Sequence, residues 1–548
     1  MLYSDLILIL VTIGFSLGLY FLAGYAAKAL SSKWKLCYVV PFIVCILFAE
    51  LSGTEISLLG VYIGVALLFV GFIKEDVRIR RMVSVGTIVL TFVSILICLF
   101  YPGYRMPNFV SDFKTGFTSM KEHYCMTEHK NIDWDAMYEE YLPKFKEAQK
   151  NHDEVENYIL WIELCNSMHD GHVAYSADKK IADKAIDKMY GNDYGLSLIT
   201  LSDGNTVAIN VQENSEVYSA GIRNGTVITS WDGKSVDELK SNDIPIEWLP
   251  YNPVKENDDF NSAMLVAGMG GDIVSIGFID ENGKEKSVSA PKLGTYSKRL
   301  EDTVDILYSG IKASNLTWHD LNENTAVLRL TQMMYDTDSS ANSNFSRMKE
   351  ELKANILEQK EKGIENLIID LRCNGGGDPG FIIAIAELLS PETEFSYACS
   401  ALWDANAKEF SYDSESGTYV VGNKVTYTGE NVWGDGQIVI LVNMATISAG
   451  DHFTQLMSAL DNVTIMGFTS SNCSGQAIRG VSFESGVLQF SSVPTVHEDG
   501  TIYIDPDASR KATVPLDIKI PFDERAVKAI FDDGEDYELQ YAEEYLRK

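Results

Sequence analysis

Four apolar runs in the first hundred residues restrict this chain more than any other feature: Leu6–Leu30, Leu36–Leu51, Ile56–Ile73 and Val83–Tyr101. Each is near the length of a helix that crosses a bilayer, where no water satisfies a backbone that is not hydrogen-bonded to itself. The second is the shortest, so about four spans are expected, with three as the alternative. Residues 1–104 are therefore read as a transmembrane anchor. A cleaved leader fits less well, because Met1–Asp5 lacks a basic stretch and one apolar core does not account for four runs.

The basic residues give an orientation. Lys33 and Lys35 separate the first two runs, and Lys74, Arg78, Arg80 and Arg81 the last two, while Ser52–Glu55 carries neither Lys nor Arg. Basic loops stay in the cytoplasm. With four spans, everything beyond Tyr101 lies outside: a multi-pass protein of the cell membrane with an extracytoplasmic main part. Only Lys28 and Glu50 are charged within the spans, each near an end, which favours an anchor over a transport path.

Charge is unevenly divided. Residues 1–104 hold 7 Lys/Arg and 5 Asp/Glu (+2), and the remainder 38 and 72 (−34), together the net −32. So acidic an outer part argues against nucleic acid as a partner. Of the cysteines, Cys125, Cys165, Cys373, Cys399 and Cys473 fall outside the apolar runs. Five cannot all pair and no CxxC occurs, so neither a disulfide framework nor a zinc ribbon is indicated, though a bridge such as Cys373–Cys473 stays open.

In the outer chain, residues 105–185 read as a helical cap, with Met137, Tyr141, Leu142 and Phe145 at roughly helical spacing after Asn131-Ile-Asp-Trp. The cap ends in Met168-His-Asp-Gly-His. His169 and His172 are three apart, but no third ligand follows at a usual spacing, so no metal is expected. A turn at Asp170-Gly171 would leave His172 at the head of a strand, a place for a general base, with a structural histidine as the plain alternative.

The chain then turns β-rich. Tyr194-Gly-Leu-Ser-Leu, Ala220-Gly-Ile-Arg-Asn-Gly-Thr-Val-Ile and Trp231-Asp-Gly-Lys-Ser-Val come in an order that resembles a PDZ domain, expected over 186–295. The resemblance implies that Gly195, Leu196, Ser197 and Leu198 receive a peptide carboxylate while the peptide adds a strand. A small β-domain with ordinary turns is the alternative.

Beyond Lys292 the pattern predicts a strand at Ala326–Leu330 and a helix from about Ser343 to Lys362, stopped by Gly363. Leu367-Ile-Ile-Asp-Leu-Arg-Cys-Asn-Gly-Gly-Gly-Asp runs an apolar strand into three glycines, whose backbone N–H groups are free to converge on an anion. No Lys follows, so a nucleotide phosphate loop is not indicated; half of an oxyanion hole is the alternative. Gln437–Asp451, QIVILVNMATISAGD, is a buried strand breaking into small residues before a helix. Ser448 sits at that junction, with the Ala449 N–H next, as a nucleophile or simply as an N-cap.

Together these segments resemble the C-terminal-processing (tail-specific) serine peptidases. The matching pieces follow the family's order: DWDAMYEEY, DGHV, the PDZ-like block, LIIDLRCNGGG, ILVNMATISAG, and VTIMG with a downstream DG…D…VPLDI. The resemblance implies a multi-domain α/β protein: a ClpP/crotonase-like αβ core over 296–548, the helical cap, and an inserted PDZ-like domain. One branch of the family uses a Ser–Lys dyad, but no Lys lies between Ser448 and Lys511, and the guanidinium of Arg479 stays protonated. The tricorn-core-like branch uses Ser, His and an acid, which places Ser448, His172 and Asp505 in those roles. Asp505 stands where Glu is usual, so Asp507 and Glu498 are alternatives. His452 ranks second as base and His497 third. Ala449 and Gly376 are the expected oxyanion donors. The resemblance implies a peptide or protein substrate and no cofactor; a catalytically inactive, membrane-anchored peptide-binding protein is the competing function.

Overall fold

The computed structural model describes residues 108–240, 253–308, 316–334 and 341–548. The four apolar runs lie outside them, and among the described residues no helix is long and apolar enough to cross a membrane.

The cap begins with α1 (Phe109–His123), α2 (Trp134–Asn151) and α3 (Glu154–Ser167). Asp133 and Asp153 start α2 and α3 by accepting the N–H of Ala136 and Glu156, three residues on, which satisfies donors the helix leaves orphaned. Phe113, Phe145 and Trp161 stack between them. The chain then runs through the Asp170-Gly171 turn into β1 (Ala174–Ser176) and α4 (Lys179–Tyr190). β1 starts two residues after His172, close to the expected position.

The β-rich part pairs β2 (Ser197–Thr200) with β3 (Thr206–Ile209), and sets β4 (Ile228–Trp231) between β5 (Lys234–Ser235) and β6 (Ile273–Ile279). α5 (Lys255–Val266) packs on β2, β7 (Glu285–Pro291) closes the edge beside β6, and α6 (Tyr296–Leu307) follows. Leu196, Leu198, Trp231 and Met264 belong to one apolar cluster that continues without a break to Val327, Ile368, Val439 and Phe522. The expected inserted domain therefore shares its core with the sheet below rather than burying one of its own.

That sheet is the centre of the molecule. β8 (Leu316–Asp320) lies antiparallel to β9 (Thr325–Leu330); beyond β9, across α7 (Ala341–Glu361), comes β10 (Asn366–Asp370). α7 ends before Gly363 at φ +86°, a stop that glycine takes without strain. Next come α8 (Pro379–Leu389), the long hairpin β11 (Glu394–Ala401) and β12 (Val421–Thr428), and β13 (Ile438–Leu441). α9 (Ala449–Met457) and β14 (Val463–Gly467) follow, with β10, β13 and β14 parallel.

The apolar runs alternate in destination. Leu367, Ile369, Ile438 and Ile440 face one cluster, while Ile368, Val439 and Leu441 face the other. A parallel sheet covered on both faces needs apolar residues at every position, which is why the strands read as unbroken runs. Past β14, β15 (Ala477–Ser482) and β16 (Val487–Val493) form a hairpin on which β1 pairs, so Leu488 and Phe490 complete the cap's core. The short β17 (Thr495–Val496) pairs with β11, β18 (Ile518–Lys519) adds the last parallel strand, and α10 (Tyr537–Leu546) ends the chain.

Candidate active site

The turn after β13 is fixed by side chains. Thr446 Oγ1 donates to the carbonyl of Leu371 at 2.8 Å and accepts the Asn443 N–H at 3.1 Å. The N–H of Ile447 then reaches Asn374 O at 2.9 Å, tying the elbow to the triglycine turn. Ser448 sits at φ +62°, ψ −120° and makes no side-chain cap bond to α9. A non-glycine residue there costs on the order of 1–3 kcal/mol, and it leaves the hydroxyl clear of the helix. Ser448 thus occupies the N-cap position, its carbonyl accepting the His452 N–H at 3.0 Å, without capping α9 through its side chain. Ala449, as the first helical residue, directs an N–H that the helix cannot use.

Asp451, one turn into α9, accepts the N–H groups of Cys473 and Ser474, each at 3.0 Å. It fixes the 472–476 loop against the elbow, and burial pushes its carboxyl up to about 7. The Ser448 N–H donates to Ser474 O at 3.0 Å, while Ser474 Oγ accepts the Gly171 N–H at 3.0 Å. Gly171 has no room for a side chain: a Cβ would stand 1.9 Å from Asn472 Oδ1. That close approach, made through a single serine, brings the DGH turn to the elbow.

His172 is 7% exposed, its N–H donates to Asp170 Oδ1 at 2.8 Å, and its Nδ1 is buried without a partner. Burial holds its pKa below the usual 6.5, against the pull of Asp170 and a main-chain hydrogen bond to Gln476, so the imidazole is neutral at neutral pH. His452 places Nε2 2.8 Å from Gly475 O, packs between Tyr397 and Tyr503, and is held down at about 4 by burial. His497 lies instead against Tyr503 beside an open cleft with Glu498 and Thr501.

Asp505 is buried. Its Oδ2 accepts the Gly475 N–H and Gln476 Nε2, each at 2.8 Å, and its Oδ1 has no partner. Burial, with the nearby Asp170 carboxylate, pushes it up to about 7. The alternatives are placed less suitably. Asp507 closes its own turn through Ser509, and Glu498 pairs with Lys424 at the surface. The arrangement gathers Ser448, His172 and Asp505 around the 472–476 loop, yet no hydrogen bond joins Ser448 Oγ to His172, nor His172 to Asp505.

Other expectations change. Gly376, at φ +84°, lies so close to Ser448 that a Cβ would stand 2.6 Å from the serine Cβ, but its N–H donates to Asn374 Oδ1 at 2.9 Å instead of into the space beside the hydroxyl. Gly195 donates its N–H to Asp193 Oδ1 at 2.8 Å, Ser197 Oγ bonds Tyr296 Oη at 2.6 Å, and Leu196 and Leu198 are fully buried under α5. The apolar side chains between the polar ones thus belong to the core. The five outer cysteines are free, so the Cys373–Cys473 bridge is not formed. Among the described residues no cluster of His, Cys, Asp and Glu could hold a metal ion. The sequence reading missed Asp170, Asp451, Ser474 and Gln476. Only Asp170 carried a signal, its place in the DGH turn.

Residues 324–507 match the model described as peptidase family S41, and residues 108–156 that described as the tricorn protease C1 domain. Ser448 and Asp505 fall in the first, and His172 lies between the two. Mature CPAF is 14% identical, with a TM-score of 0.51 over 80% of this chain and 96% of that one, and it shares the fold. CPAF complexed with lactacystin is 13% identical (TM-score 0.49, 80% and 97% covered). The photosystem II D1 C-terminal processing protease is 14% identical (0.34, 78% and 98%). No curated protein matches the sequence. The segment bearing Ser448 and Asp505 is a mixed α/β unit that matches the S41 peptidase model.

Proposed function

We propose that the chain is a membrane-anchored, extracytoplasmic serine endopeptidase in which Ser448 attacks, His172 is the base and Asp505 is the acid. One observation carries the reading: Ser474 holds the strained Ser448 elbow with its carbonyl and the His172 turn with its hydroxyl. A serine hydroxyl is a weak nucleophile at neutral pH, and the buried neutral imidazole is suited to take its proton as the acyl bond forms. The carboxylate would then fix the imidazole and balance the imidazolium. The tetrahedral oxyanion would take the Ala449 N–H and, once its bond to Asn374 is exchanged, the Gly376 N–H. The imidazolium returns its proton to the leaving amine, and water hydrolyses the acyl-enzyme by the same steps. The PDZ-like segment is assigned a gating part, since Gly195–Leu198 must be uncovered before a peptide can reach it. The four apolar runs would supply the anchor.

A second reading, a peptide-binding protein without activity, is favoured by the unpaired His172 Nδ1 and Asp505 Oδ1. Turnover of peptides by the purified protein and by Ser448→Ala decides, together with labelling by a fluorophosphonate. The peptidase reading expects loss of both in Ser448→Ala and loss of labelling in His172→Ala. Undiminished turnover by Ser448→Ala removes the serine from the chemistry, and no labelling under any condition favours the binder.

A further inference from the structure

The cap segment between α1 and α2 contributes a buried cation that the chemistry above does not use. Lys130 is 7% exposed, and its Nζ donates to His169 O at 2.8 Å and to Pro506 O at 2.9 Å. Those carbonyls belong to segments far apart in the chain, one just before His172 and the other directly after Asp505. The adjacent His129 sets its Nε2 3.0 Å from Asp505 O, and Tyr124 Oη donates to Asp170 Oδ2 at 3.0 Å. One short stretch of the cap therefore grips both the turn that carries the histidine and the segment that carries the acid.

Packing alone does not explain a lysine here. Removing an ammonium from water is costly unless its donors and its charge are matched, and an apolar side chain of the same length would fill the space. The donors are matched by the two carbonyls. The charge is faced by the carboxylates of Asp170 and Asp505, with smaller influences from Cys473 and Arg510. Burial lowers its pKa while the two carboxylates act to keep it charged.

We infer that Lys130 is a positioning residue of the peptidase: its ammonium clamps the His172 turn to the Asp505 segment at a fixed separation, and its charge offsets the two carboxylates behind the histidine. The inference rests on the Ser448–His172–Asp505 reading. Lys130 touches no substrate in this scheme, so its loss acts on the chemical step and not on binding.

The test compares Lys130→Met, which keeps length and loses donors and charge, with Lys130→Arg, which keeps both, in the full chain. Peptide turnover and thermal melting are measured for each, with Ser448→Ala alongside. Lys130→Met is expected to lose about a hundredfold in kcat, as small misplacements of catalytic groups do, with KM within about twofold. Lys130→Arg is expected to recover most of that loss. A folded Lys130→Met with kcat within about threefold of the parent overturns the clamp, as does a loss carried by KM alone. Should Lys130→Met not fold, His129→Ala removes only the tie to Asp505: a kcat loss of about tenfold supports the clamp, and unchanged kcat overturns it. Turnover that survives in Ser448→Ala brings down the triad reading itself, an outcome distinct from failure of the clamp.

Discussion

The main-chain N–H of Ser448 donates to the carbonyl of Ser474 at 3.0 Å, so the residue with the strained backbone is held by the loop that follows the neighbouring strand β14. The Ser474 hydroxyl meanwhile accepts the Gly171 N–H and donates to Asn472 Oδ1 at 2.9 Å. In Ser474→Ala the half-buried Gly171 N–H loses its partner. The expected cost is about 1–3 kcal/mol of stability by urea denaturation, with a fall in kcat larger than any change in KM.

Gly376→Ala sets a methyl group against the elbow. The added carbon would stand 2.6 Å from Ser448 Cβ and 3.1 Å from its Oγ, at a φ of +84° that alanine avoids. Fluorophosphonate labelling is expected to fall at least a hundredfold, since the hydroxyl is displaced and the oxyanion space is filled. A variant that melts normally and labels at the parent rate would place the reactive serine elsewhere.

The buried carboxyls predict an unusual dependence of stability on pH. Asp451 and Asp505 are both raised to about 7, against an unfolded value near 3.9. The folded state thus holds these protons more tightly than the unfolded one. Their contribution is present in full below about pH 4 and is lost as pH rises towards 7. Both donors to Asp505 share its Oδ2, so Asp505→Asn keeps them and removes one titration. Urea midpoints measured from pH 4 to 7.5 should fall less steeply in that variant.

The same carboxyl should govern the rate. If Asp505 must be ionised, kcat/KM rises with pH through about 7, whereas protonation of His172 matters only below 6.5. In Asp505→Asn the maximum is expected to drop and the acid limb to move below pH 6.5. A limb that stays near 7 would assign it to another group.

Arg372 anchors the triglycine turn from behind. Its guanidinium reaches Asp370 at 2.9 Å, Asp536 at 2.7 Å and Glu538 at 3.0 Å, joining the end of β10 to the start of α10. Arg372→Met strands the buried Glu538 carboxylate, while Asp370 keeps Arg329 at 2.8 Å, so a cost at the lower end of about 3–5 kcal/mol is expected. Truncation of α10 should mimic it in part, by exposing the same ion cluster.

Much of the core was legible because local rules and burial agree there. The strand at Ala326–Leu330, the stop at Gly363 and the strand–turn–helix around Ser448 follow from runs of apolar residues and from where glycine is tolerated. Gly195–Leu198 shows the limit of a local motif. The motif reports a loop shape, while burial under α5 depends on residues some sixty positions later.

By itself the sequence determined the alternation of strand and helix and excluded a Ser–Lys dyad at the position the resemblance implies, because periodicity and composition are properties of neighbouring residues. Only the tertiary structure decided that Ser474 would join Ser448 to Gly171, that the Gly376 N–H would turn to Asn374, and that Lys130 would bridge the segments of His172 and Asp505. Each of those contacts has a main-chain group at one end or both, its partner is set by where segments meet in space, and a main-chain N–H or carbonyl leaves no mark on residue identity.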